Sequence, residues 1–130
     1  DNKFRTLILD LTFNQNYFER MIHHEIFHMI DNSFPELFKK NQWSELNNKD
    51  FSYASCSTCT DLLGLDLEVK KGFLTEYSMS TAEEDMAEIY SLLKTNFKEI
   101  DLLIKKDNIL TKKKNFLING LKEIDEKFIF

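Results

Sequence analysis

The sequence predicts a mostly helical α+β domain with a small sheet near its start, on three observations. Residues 4–11 (Phe-Arg-Thr-Leu-Ile-Leu-Asp-Leu) are rich in apolar and β-branched side chains, as strands are. From about residue 16 the apolar period changes to that of a helix. From Ser80 onward further stretches keep the same helical spacing.

The strand is expected to end in the turn-like Asn14-Gln15-Asn16. A helix then runs over residues 16–31, with Phe18, Met21, Ile22, Ile26 and Met29 as its apolar stripe. Asn32-Ser33-Phe34-Pro35 stops it, because proline and the residue before it resist continuation. Between residues 35 and 77 the pattern is weak, with one short helix expected at residues 36–41 and loops or brief strands elsewhere, punctuated by Gly64 and Gly72. A segment this irregular inside one domain is more often functional than filler, and here it could shape a cleft.

Ser80-Thr81-Ala82-Glu83 carries a capping-box signature that opens a second strong helix. Met86, Ile89, Tyr90, Leu93 and Phe97 keep helical spacing along it. Residues 100–106 and 109–128 are also expected to be helical, with Leu110, Phe116, Leu117, Leu121 and Ile124 facing the core. Lys112-Lys113-Lys114 reads as a solvated helix face.

At 130 residues the chain is expected to form one domain, 1–130. It begins at Asp1, with neither an initiator methionine nor a signal peptide, as expected of a trimmed or mature piece of a longer chain. Its hydrophobic content of 42%, with twelve phenylalanines, is ample core material. A net charge of −5 argues against nucleic acid as the partner. No stretch approaches the ~18 apolar residues that a membrane span needs.

All three histidines lie within the run His23-His24-Glu25-Ile26-Phe27-His28. His24-Glu25-x-x-His28 is the H-E-x-x-H pattern, which chance would give in roughly one of two hundred shuffles of this composition. On a helix, residues four apart share a face, so both imidazoles can reach one Zn²⁺ while Glu25 reaches a water on that ion. His23 points about 100° away and reads as a surface residue. The bland alternative is a helix whose clustered histidines bind nothing.

A catalytic zinc site takes three protein ligands. With no further histidine, and Phe34 standing where a metzincin has its third, the ligand must be a carboxylate or thiolate. The acidic run Glu83-Glu84-Asp85-Met86-Ala87-Glu88 offers Glu84 and Glu88 on one face. An acidic first turn also complements the helix dipole without any metal.

His24-Glu25-x-x-His28, followed about fifty residues later by Tyr77-x6-Glu84-x3-Glu88, resembles the gluzincin metallopeptidases, in particular the anthrax lethal factor-like group. The stretch from Gly72 to Glu88 also resembles bacterial zinc-binding metallopeptidases with an E-D-x-A-E signature. The resemblance covers about residues 18–31 and 72–97, and it implies a zincin-like fold. By the same resemblance, Glu84 would be the third zinc ligand, Glu88 a carboxylate beside a ligand histidine, and Tyr77 the phenol that stabilises the oxyanion. Chemistry independently asks for such a donor where charge develops on a carbonyl oxygen. The sequence departs from the family in having one strand ahead of the zinc helix, where relatives have a fuller sheet and another helix. That strand could pair with an extended peptide, or it could be an interior strand.

Cys56-Ser57-Thr58-Cys59 lacks the second pair that a structural zinc site needs. A local disulfide or two reduced thiols are the readings left open. An oxidised pair would imply an exported protein, which the resemblance also favours.

The expected function is a zinc-dependent endopeptidase acting on peptide or protein substrates, with Glu25 as general base. An inactive zinc-binding domain with a vestigial site is the alternative. A metal-free helical interaction domain is the third reading.

Overall fold

One helix, Ala82–Thr95, is buried nearly all round, with Met86, Ala87, Ile89 and Leu93 wholly inaccessible. A helix with no solvated face belongs at the centre of a fold, and the remaining elements are arranged around it. The computed structural model describes residues 15–130. In chain order its helices are α1 (Gln15–Ser33), α2 (Lys40–Ser44), α3 (Ala82–Thr95), α4 (Phe97–Ile104) and α5 (Asn108–Ile124). Short 3-10 turns lie at Ser57–Cys59 and Tyr77–Met79. The strand expected at residues 4–11 lies outside the described residues. Among those described there is no strand, only an isolated antiparallel bridge between Lys70 and Phe73.

α1 packs directly on α3, and α2, α4 and α5 also contact it. Phe27 of α1 is fully buried, its ring 5.2 Å from both Phe38 and Tyr90. Burying a side chain of that size is worth about 1.5–3 kcal/mol. Of the expected apolar stripe on α1, however, Phe18, Met21, Ile22, Ile26 and Met29 are all only half-buried. The face that α1 buries instead carries Arg20, His24, Phe27 and Asp31. Three of these four are polar, and burial is tolerable only because α3 offers charged partners to Arg20 and His24.

The short helix expected at 36–41 falls later, at Lys40–Ser44. Phe38 and Trp43 decide this, since both are buried and the extended backbone at Lys39 (φ −63°, ψ 117°) lets each reach the core. Phe38 lies against Gly120, where a Cβ would approach its ring to 2.6 Å. The cap of α3 is Thr81, whose hydroxyl accepts from the Glu84 N–H at 3.3 Å, while the Ser80 hydroxyl turns back to the Tyr77 carbonyl. Phe97 opens α4 and is exposed, and α5 stops at Ile124, which is also exposed. Asp107 caps α5 by accepting from Ile109 and Leu110.

The lysine run is not a solvated face. Lys112 alone is exposed. Lys113 is fully buried, 2.6 Å from Asp85 and 3.8 Å over the Phe73 ring, and Lys114 pairs with Asp101. Lys113 also donates to the Gly72 carbonyl at 2.7 Å. Lys71 and Gly72 both have positive φ in the two-residue turn that joins Lys70 to Phe73, the twist such turns favour. A Cβ at Gly72 would meet Ile109 at 2.5 Å, so this position needs glycine for space as well as for conformation.

Candidate metal centre

Helical periodicity places His24 and His28 on the side of α1 that faces α3, and the first turn of α3 presents Glu84 to them. The His24 Nε2 lies 2.9 Å from Glu84 Oε2 and 3.1 Å from His28 Nε2. The third separation, His28 Nε2 to Glu84 Oε2, is 3.3 Å. A tetrahedral ion with ligand bonds near 2.0–2.1 Å spaces its donors about 3.3 Å apart. Three donors already converging at this spacing fit a zinc ion with only small adjustment. Among the described residues, these three are the group of histidine, cysteine or carboxylate side chains able to share one ion.

The electrostatics agree with the geometry. Burial works against a charge on His24, but hydrogen bonds and negative charge from Glu84 and Glu88 outweigh it and raise its pKa to about 9. Burial would also raise the Glu84 carboxyl, yet the bonds to His24 and His28 hold it well below the usual carboxylate range. The negative charge of Glu84 and Glu88 that favours a proton on His24 would also attract a cation placed between the three donors.

Glu88 stands behind the cluster, fully buried, with Oε1 3.0 Å from His24 Nδ1. A carboxylate there accepts a hydrogen bond from Nδ1–H, which keeps the proton on Nδ1 and leaves the Nε2 lone pair free to bind a metal. Its other oxygen accepts from Arg20 Nη2 at 2.5 Å and from the Thr75 hydroxyl at 2.7 Å. Arg20 and Thr75 were not legible in advance as part of the centre. Arg20 does sit one turn before His24 on the same face of α1, which is a usable signal. Thr75 has none.

Asp85, which diverges from the metal-facing side, accepts from Trp43 Nε1 at 2.9 Å and from the Tyr53 hydroxyl at 2.6 Å, as well as from Lys113. It anchors α3 from behind, tying the helix that carries Glu84 to α2 and α5. Burial raises its carboxyl pKa, and Lys113 opposes that shift.

Glu25 and Tyr77 line the same cleft of about 410 Å³ as His24, His28 and Glu84. The Tyr77 ring stacks on His24 with centroids 6.1 Å apart. Burial, then the nearby Glu84 charge, push its phenol up to about 12. His23 is half-buried, and its ring is not one of those that converge. Cys56 and Cys59 form a disulfide that closes the turn holding Ser57.

The arrangement offers a cation site with two imidazoles and one carboxylate. A free carboxylate and a phenol share its open side. Compared with known families, residues 2–130 match the one described as "Putative zinc-binding metallo-peptidase". Neither a curated protein nor a solved structure matches the chain.

Proposed function

The chain belongs to the family of putative zinc-binding metallo-peptidases, and from that premise we propose that it is a zinc-dependent endopeptidase of the gluzincin type. The observation that carries this reading is the convergence of His24 Nε2, His28 Nε2 and Glu84 Oε2 beside Glu25 in one cleft. In it, those three residues would hold Zn²⁺, and Glu88 would orient His24. When bound, the metal polarises a carbonyl and makes a water nucleophilic at neutral pH.

The remaining steps belong to this chain's own side chains. Glu25 takes the proton of the attacking water and delivers it to the leaving amine. Tyr77, protonated across the neutral range, donates a hydrogen bond to the oxygen on which charge develops. Arg20 and Thr75 hold the Glu88 carboxylate in place. A vestigial site has less support, since both Glu25 and Tyr77 line the cleft. The Cys56–Cys59 disulfide supports work in an oxidising compartment, so we place the protein outside the cell.

Glu25→Gln tests the assignment because it keeps the side chain's shape and removes the base. The variant is expected to retain zinc and lose at least ~10²-fold in peptide hydrolysis. Undiminished hydrolysis by that variant overturns the mechanism.

A further inference from the structure

Besides its ionisable groups, the cleft is lined by apolar side chains: Met21 of α1, and Leu63 and Leu65 of the irregular segment before α3. Leu63 is 63% exposed. A single exposed leucine means little by itself. Here it stands on the rim of the cleft that holds Glu25 and Tyr77, and its backbone is fixed to that site.

The Tyr77 N–H donates to the Gly64 carbonyl at 2.9 Å, and the Gly64 N–H donates to Glu76 at 3.0 Å. Arg20 Nη1 donates to the Leu65 carbonyl at 2.7 Å, while its Nη2 holds Glu88. One guanidinium therefore sets both the histidine-orienting carboxylate and the backbone that carries the two leucines. This lining is registered to the reacting centre and held before any ligand arrives, which limits the ordering cost of binding.

Charge narrows the choice further. Among the described residues, the ionisable groups lining the cleft besides the histidines are Glu25, Glu84 and the Tyr77 phenol, none of them a cation that could meet an acidic side chain. Arg20 is spent on Glu88 and Leu65 and is buried. A lysine side chain would lose its hydration against the leucines.

We propose that Leu63 and Leu65 are specificity-determining residues that select peptides with a bulky apolar side chain next to the scissile bond. The proposal rests on the endopeptidase reading of the same cleft. An apolar side chain seated there gains ~10-fold or more over a polar one of similar size.

The test is calorimetric binding to the zinc-loaded protein, which needs no turnover. The probes are peptide hydroxamates identical except for a leucyl, lysyl or aspartyl side chain beside the zinc-binding group, with acetohydroxamate as the probe lacking a side chain. The wild type is expected to bind the leucyl compound at least ~10-fold more tightly than the other two. In Leu63→Ser/Leu65→Ser that advantage is expected to shrink to within about 3-fold, with zinc content and acetohydroxamate affinity retained. Leu63→Ser alone, at an exposed position, gives an intermediate loss and guards against misfolding of the double variant. Equal binding of the three compounds, or a leucyl advantage that survives both substitutions, overturns the assignment while the endopeptidase reading stands. Failure of every hydroxamate, acetohydroxamate included, in protein shown to contain zinc overturns both.

Discussion

Replacing Lys113 by methionine should cost a large share of the domain's stability. Its ammonium and the Asp85 carboxylate are both fully inaccessible and 2.6 Å apart. Methionine fills much of the same space and removes the charge. Asp85 then keeps only the Trp43 and Tyr53 donors, and the Gly72 carbonyl loses Lys113. Breaking a buried pair from one side costs about 3–5 kcal/mol, because the other charge stays buried without compensation. A domain of this size has about 5–15 kcal/mol in total. Trp43, the single tryptophan, touches Asp85 and is buried, so its fluorescence reports the loss directly. In urea, with a slope of about 1–3 kcal/mol per molar, the midpoint should fall by about 2 M in metal-free protein. Adding Asp85→Leu should recover part of the loss, since two apolar groups can replace a buried pair at little cost. A loss below about 1 kcal/mol for Lys113→Met would refute the reasoning.

Two further outcomes follow from the contacts. Glu88→Gln, which weakens the hold on His24, should lower zinc affinity by about 10–100-fold in competition with a chelating dye while the circular dichroism stays native. Lys105 and Lys114 bond Asp101 and hold its carboxyl below the usual range, so its folded pKa lies under its unfolded one. Its contribution is therefore present above about pH 4 and is lost as pH falls through the folded value. Thermal midpoints measured from pH 5 down to pH 2 should drop less steeply in Lys114→Met than in the wild type.

The H-E-x-x-H pair was legible because helical period alone puts His24 and His28 on one face, whatever surrounds them. The helix around Ile89 and Leu93 was legible for the same reason. The burial of Lys113 was not, because its partners, Asp85 and the Gly72 carbonyl, lie far back in the chain. A lysine between two lysines has no local sign of such a contact. The α1 stripe misled in a related way. Its most apolar positions are only half-buried, whereas Arg20, His24 and Asp31 are buried. Hydrophobicity predicts a helix's inner face when that face meets a core, and here it meets an ionic cluster. Ile124 followed the helical spacing but sits where α5 has already passed the edge of the core.

The most direct test of the central claim is metal content by mass spectrometry, on untagged wild type and on Glu84→Ala. The account predicts one zinc per wild-type chain and a clear loss in the variant, because Glu84 Oε2 is the atom that both histidines face. No zinc in the wild type, even after incubation with Zn²⁺ at neutral pH, would contradict it.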